Sequence, residues 1–472
     1  MTQNNLFTPH LHRIICALAG IVLLMTSLAL MAHAQGNRST ALIRDTEIEN
    51  YLKEWAAPVI KAADLDPESV NIILVQDNNI NAFVAGGQNI FLYTGLLMKS
   101  KGPGEVVGVM AHELGHIRGG HLIRSKDAME NASYEAMLGA ILGIGAAILA
   151  GDGGAAGAIS GASSGMALNK LLAFSRVQES SADQAAMGFL ERAHLNPQGL
   201  VSFMQRLEDE ELLPISQQSE YVRTHPLTRD RVESLQAGTT RSAYNDAALP
   251  AVWADQHARM LAKLTGFVTP EHVIWNYSDK DQSLTARYAR AIAAYRQNKV
   301  EEALRLTDSL LRDEAKNPYF LELKGQMLSD FGRPGEAVPY YRQATELDPA
   351  SGLIRTAYAH TLIETAGNNQ SQLKTAVTQL ERAQRDEPRS TRIYRLLATA
   401  YGKMGDEAMA KLHLSEEALL QRRIPQARQQ AEAASMGLKK GSAAWIRTQD
   451  ILSQVAISEK SKKSDDKEDR DN

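Results

Sequence analysis

The alternation of apolar and polar positions sorts the chain into segments before any motif is considered. Residues 47–63 carry apolar side chains at helical spacing and predict an amphipathic helix. Residues 70–75 and 90–93 are short β-branched and aromatic runs that predict strands. Asn81-Ala82-Phe83-Val84 and the turn pair Gly86-Gly87 lie between them. A helix is expected from Pro103 to about Gly120, after a Gly/Lys/Pro break, with Val106, Val107, Val109 and Met110 inside it. Residues 137–150 are apolar and rich in Gly and Ala. Gly151-Asp152-Gly153-Gly154 interrupts them, and a second small-residue stretch runs to about Leu168. This reads as a buried or lid-like helical hairpin, each half too short to span a bilayer comfortably. Contact with a membrane or an apolar substrate is the alternative. Further helices are expected over residues 175–192 and from Pro197 to Leu207, and residues 247–281 read as a mixed connector.

The texture changes at about Leu284, where the chain becomes helical and rich in Ala, Leu, Arg and Glu. Gly325, Leu328, Ala337, Tyr341, Ala344 and Pro349 fall at the offsets of a tetratricopeptide repeat. Ala359, Leu362, Ala376, Leu380, Ala383 and Pro388 give a second repeat, lengthened by the insert Gly367–Ser371. Ala398, Tyr401, Gly405, Ala410 and Leu414 give a third, and weaker copies surround Ala303 and Ala427. Three matches in near-register predict stacked helix pairs forming a superhelix. Residues 457–472 are nearly all charged or Ser, bury no apolar area, and are expected to be disordered.

At the other end, residues 1–34 carry no acid and one formal cation, Arg13, followed by an apolar run to Met31 and Ala32-His33-Ala34. That is the layout of a secretory signal peptide cleaved after Ala34, with an uncleaved anchor as the alternative. The expected organisation is a signal peptide (1–34), a first domain (35–265), a connector (266–283), a repeat domain (284–456) and a charged tail (457–472). The fold class is α+β, mostly α.

Composition narrows the functions. Lys+Arg 51 against Asp+Glu 55 gives a net charge of −4, which excludes a strongly basic nucleic-acid binder as the default; no nucleic-acid partner is expected. Aromatics at 6% argue against a stacking platform, and a single Cys, Cys16, excludes disulfides, thiolate zinc sites and CxxC redox centres.

The candidate chemistry lies in His112-Glu113-Leu114-Gly115-His116, inside a predicted helix. Residues four apart share a helix face, so two imidazoles can grip one ion while Glu113 reaches a water beside it. A catalytic zinc needs a third protein ligand. His121 is one position early for the third histidine of H-E-x-x-H-x-x-G-x-x-H, since that slot holds Leu122; His121 reads as a structural residue or as one that supports a ligand. Glu179 is the better candidate, with Asp183 one turn later to orient a ligand histidine. Taken alone, the two acids read more simply as solvated helix residues.

His112-Glu113-x-x-His116 with Glu179-x-x-Ala182-Asp183 resembles the M48 gluzincin metallopeptidases. So do Asn81-Ala82-Phe83 … Gly86-Gly87 … Ile90 … Gly95-Leu96-Leu97, and Thr224-His225-Pro226 … Arg231. With an export signal and terminal repeats, the chain resembles periplasmic members of that family from Gram-negative bacteria. The resemblance implies one Zn2+ per chain held by His112, His116 and Glu179, with Glu113 as general base and Arg231 as oxyanion donor ahead of Arg229. It gives His225 two roles, oxyanion stabiliser or autoinhibitory zinc ligand, the second preferred. It implies a periplasmic endopeptidase acting in outer-membrane β-barrel quality control. Its partners would be unfolded or stalled barrel proteins and, through the repeats, the barrel assembly machinery, with peripheral outer-membrane contact. Extended substrates could add to an edge strand near Ile90–Tyr93, if that strand is not an inner one. Two other readings are an assembly scaffold with a structural zinc and a membrane-embedded peptidase resting on residues 137–168.

Overall fold

The computed structural model describes residues 41–121, 176–211, 213–214 and 217–471. The expected signal peptide and the Gly/Ala-rich segment 137–168 lie outside these residues. After strand β1 (Ala41–Ile43), helix α1 (Thr46–Ala62) begins at Asp45, whose carboxylate accepts the Ile48 N–H at 2.9 Å. Ile48, Leu52, Trp55, Ala56, Val59 and Ile60 form its buried face. Strands β2 (Asn71–Gln76), β3 (Ala82–Ala85) and β4 (Asn89–Tyr93) follow, with Gly86 and Gly87 at φ 60° and 101° making the tight β3–β4 turn.

The sheet order is β1-β2-β4-β3, with β4 parallel to β2 and antiparallel to β3. The Ile90–Tyr93 run is therefore an inner strand, which corrects its reading as a possible edge. Its side chains Ile90, Phe91, Leu92 and Tyr93 are all buried, as suits a strand paired on both sides. Among the described residues the edge strand next to it is β3, the segment that contains Ala82-Phe83-Val84.

Helix α2 (Thr94–Lys99) leads into α3 (Pro103–Gly119), which starts on a proline and stops at Gly120 in the left-handed region, φ 61°. Every residue of α3 from Glu105 to His116 is buried, because α1, α4 (Arg176–Arg192), α5 (Gln198–Glu211) and the sheet surround it. Helices α6 (Glu220–Thr224) and α7 (Arg229–Arg241) complete this unit.

The expected connector is structured. Helix α8 (Ala251–Val268) serves two cores at once, with Met260 and Leu264 in the first and Ala262 in the second. A short helix, α9 (Val273–Asn276), adds Val273 to the second core. Helices α10 (Leu284–Arg296) to α19 (Ala443–Asp471) then pair in sequence order. Ala303, Ala337 and Ala376 are fully buried between paired helices, and a Cβ on Gly325 would meet the Tyr341 ring at 2.9 Å. The charged tail expected to be disordered continues α19 as helix to Asp471. Its Lys, Glu and Asp residues extend a helix already anchored by buried Ile451 and Val455, so no new nucleus is needed.

Successive repeat corners hold α8 and the start of the first domain. Glu314 receives two bonds from Arg259 at 2.8 and 2.6 Å, Asp348 accepts from Asn50 at 3.1 Å, and Glu387 accepts from Arg44 at 2.8 and 2.5 Å. Beside Asp348, the Ser351 and Thr46 hydroxyls lie 3.0 Å apart. Among the described residues no helix is long and apolar enough to cross a membrane.

Candidate metal centre

Helices α3 and α4 cross closely because Gly115 lacks a side chain: a Cβ there would lie 2.6 Å from the Ala182 carbonyl oxygen. That approach brings the histidine helix against the acid helix. His112, His116, Glu179 and His225 each offer one ligand atom, all within 4.8 Å of one another, and all four side chains are fully buried. The Nε2 atoms of His112 and His116 are 3.0 Å apart, and each lies 3.4 Å from a Glu179 oxygen. Ligands about 2.1 Å from a tetrahedral ion stand about 3.4 Å from one another, so these separations fit zinc coordination. Nitrogen and carboxylate donors without thiolates also suit zinc.

Each imidazole is held at Nδ1 by a different group. His112 Nδ1 lies 2.9 Å from Asp183 Oδ1, His116 Nδ1 lies 3.0 Å from His121 Nδ1, and His225 Nδ1 lies 2.9 Å from Thr224 Oγ1. Fixing Nδ1 leaves Nε2 to face the common centre. The structure thus places His121 beside His116, outside the four-residue cluster.

Three carboxylates, Glu113, Glu179 and Asp183, are buried in the site, and the Arg231 guanidinium contacts Glu179 and Asp183. Burial alone would raise Glu179 and Asp183, yet the imidazoles of His225, His112 and His116 hold Glu179, and His112 with Arg231 holds Asp183, below the usual carboxylate range. Burial opposes a charge on His112, but Asp183 and Glu179 push it up to about 10. Burial lowers His116 to about 4 and pushes Glu113 up to about 8. Both Glu113 oxygens are buried without a hydrogen bond, and its Oε1 lies 3.5 Å from His225 Nε2. The Glu179 oxygens also accept no well-directed hydrogen bond, despite an Arg231 Nη1 contact of 2.9 Å. Orphaned buried acids are costly, and a divalent ion removes that cost.

Arg231, expected on resemblance as an oxyanion donor, is engaged elsewhere. It donates from Nε and Nη2 to both Asp183 oxygens at 2.7 and 2.9 Å, and from Nη1 to the Pro226 carbonyl at 2.7 Å. It braces the acid that holds His112 and the loop that follows His225. Arg229 is exposed and pairs with Glu233.

The profile of Peptidase family M48 matches residues 44–239. Those residues are an M48 peptidase domain. The profile of Tetratricopeptide repeat matches residues 275–431. The chain is 25% identical over 319 residues to the Beta-barrel assembly-enhancing protease of Escherichia coli K12, covering 66% of this chain and 64% of that relative. It is 26% identical over 296 residues to the protein of that name from Yersinia pestis, covering 61% and 60%. A Putative beta-barrel assembly-enhancing protease of Vibrio cholerae is 23% identical over 428 residues, covering 88% and 85%. Apart from that longer match, the chain spans about 64% of the length of the first curated relatives it matches.

Two residues in the M48 domain went unassigned by sequence reasoning. Thr224 stood in the quoted Thr224-His225-Pro226 run without a role, and Tyr221, which stacks on His225 at 4.5 Å and 19°, carried no signal at all. The turn of helix that aligns these residues is set by α6 and is invisible in composition.

Proposed function

We propose that this chain is a zinc-dependent endopeptidase whose site is held shut by His225. The observation that carries the reading is the buried His112–His116–Glu179 cluster with a hydrogen-bond-free carboxylate, Glu113, at its side. A zinc ion held by His112, His116 and Glu179 would supply Lewis acidity to the scissile carbonyl and the attacking water. Glu113 is the general base: its carboxylate takes a proton from water and returns it to the leaving amine. Asp183 Oδ1, 2.9 Å from His112 Nδ1, orients that ring, and Arg231 keeps Asp183 ionised and in place. His225 occupies the fourth corner of the cluster, where it excludes water until it moves away.

An extended peptide would add to the edge strand β3 rather than to β4. The repeats and the names of the relatives support a further step: a periplasmic role in outer-membrane β-barrel quality control, with the repeats docking on the assembly machinery. The test is metal content and casein cleavage measured together on wild type, Glu113→Gln and His225→Ala. Glu113→Gln should bind zinc and lose cleavage, and His225→Ala should cleave faster. Unchanged cleavage by Glu113→Gln would leave the repeat module as the working part and the metal as a structural element. If His225→Ala abolished cleavage with zinc still bound, the imidazole would be an oxyanion stabiliser.

A further inference from the structure

His225 is gripped from two sides by its own short helix. The Thr224 hydroxyl lies 3.0 Å from the Glu220 carbonyl and 3.1 Å from the Tyr221 carbonyl, both of which only accept. The single hydroxyl proton goes to those carbonyls, as in a threonine bonded back along a helix. The same oxygen, 2.9 Å from His225 Nδ1, is then the acceptor of that contact. His225 therefore carries its proton on Nδ1 and its lone pair on Nε2, the tautomer a metal ligand needs. On its face, Tyr221 stacks on the imidazole at 4.5 Å and 19°. Tyr221 is fully buried, is packed edge-on by Phe203 at 5.2 Å, and is tied through its N–H to the Ile80 carbonyl at 3.0 Å, just before β3.

We propose that Thr224 and Tyr221 are positioning residues that hold His225 as an inward-facing ligand, Thr224 by fixing the ring tautomer and Tyr221 by bracing the ring face. The proposal rests on the reading of His225 as a latch and adds how the latch is set. Asp183 and His121 hold His112 and His116 at the same ring atom, so His225 is furnished in the manner of the two motif histidines.

The test uses the full chain carrying Thr224→Val, Thr224→Ser, Tyr221→Leu, Tyr221→Phe or His225→Ala. Zinc affinity is read by competition with a chromophoric chelator, ligand number by the visible spectrum of the cobalt-loaded chain, and cleavage on casein. Thr224→Val and Tyr221→Leu should weaken zinc binding by about tenfold or more, shift the cobalt spectrum in the direction of His225→Ala, and raise cleavage. Thr224→Ser keeps the acceptor and Tyr221→Phe keeps the stack, so both should match wild type. Should Thr224→Val not fold, Thr224→Ala replaces it. Wild-type affinity and spectrum in Thr224→Val and Tyr221→Leu, beside a shifted His225→Ala, would overturn the positioning roles and leave the latch standing. A shift in one of the two keeps that residue and removes the other. Wild-type affinity and spectrum in His225→Ala would overturn the latch itself.

Discussion

Gly115 sets how closely the two helices that carry His112, His116 and Glu179 approach, and Gly115→Ala tests that dependence. The added Cβ would sit 2.6 Å from the Ala182 carbonyl oxygen and 2.9 Å from its Cα, both main-chain atoms within a helix. Non-bonded carbon atoms prefer about 3.5 Å or more, so α4 must retreat by several tenths of an ångström. Glu179 precedes Ala182 by three residues on that helix and moves with it. Metal–ligand distances tolerate only about 0.2 Å, so zinc affinity should fall by about tenfold or more. Overpacking costs about 1–3 kcal/mol, and exchanging a helical glycine for alanine returns about 1 kcal/mol. The net loss of stability is therefore about 0–2 kcal/mol, small beside the loss of metal. The assay is chelator competition for zinc alongside urea unfolding of the metal-free chain. Gly188→Ala on α4 is the control: its Cβ would meet only Arg192 Nη1 at 3.5 Å, so zinc binding should stay and stability rise by roughly 0.5–1 kcal/mol. A Gly115→Ala chain that binds zinc and cleaves casein like wild type would refute the close-approach argument.

Other expectations concern separate parts of the molecule. Removing the metal with a chelator should abolish casein cleavage and restore it on adding zinc; cleavage that survives chelation excludes the metal from the reaction. Glu387→Ala removes the acceptor of Arg44, and for a half-buried pair the cost is about 1 kcal/mol, seen as faster hydrogen exchange over residues 41–50 with zinc affinity unchanged. Exchange that does not change would show that the repeat corner contributes nothing to holding that segment. His257 is lowered to about 4 by burial beside Ser100, whose hydroxyl is 2.8 Å from Nε2. The unfolded chain takes up a proton below about pH 6.5 that the folded chain refuses, so stability should fall as pH drops from about 6.5 towards 4, by up to about 3 kcal/mol. Urea unfolding of wild type and His257→Asn at pH 7 and 5 measures it; equal pH dependence in both would remove His257 as the cause.

The chain's own order was enough to place the two motif histidines and Glu113 on one helix, because a four-residue spacing closes a helical turn whatever surrounds it. It was also enough for the repeat module, whose small residues recur at offsets that only stacked helix pairs require. Glu179 and Asp183 were legible as acids on a second helix, but only packing decides whether such acids are solvated or buried, and Gly115 against Ala182 is the contact that buries them. The partners of Arg231 were beyond reach for the same reason. A guanidinium on α7 can serve an oxyanion or an aspartate, and tertiary placement put Asp183 within 2.7 Å. Strand order behaves likewise: Ile90–Tyr93 carries the same apolar run whether inner or edge, and the crossover between β2 and β4 made it inner. Local spacing is fixed by covalent geometry, whereas pairing between distant segments is chosen by the free energy of the whole packed chain, and a sequence states the first far more plainly than the second.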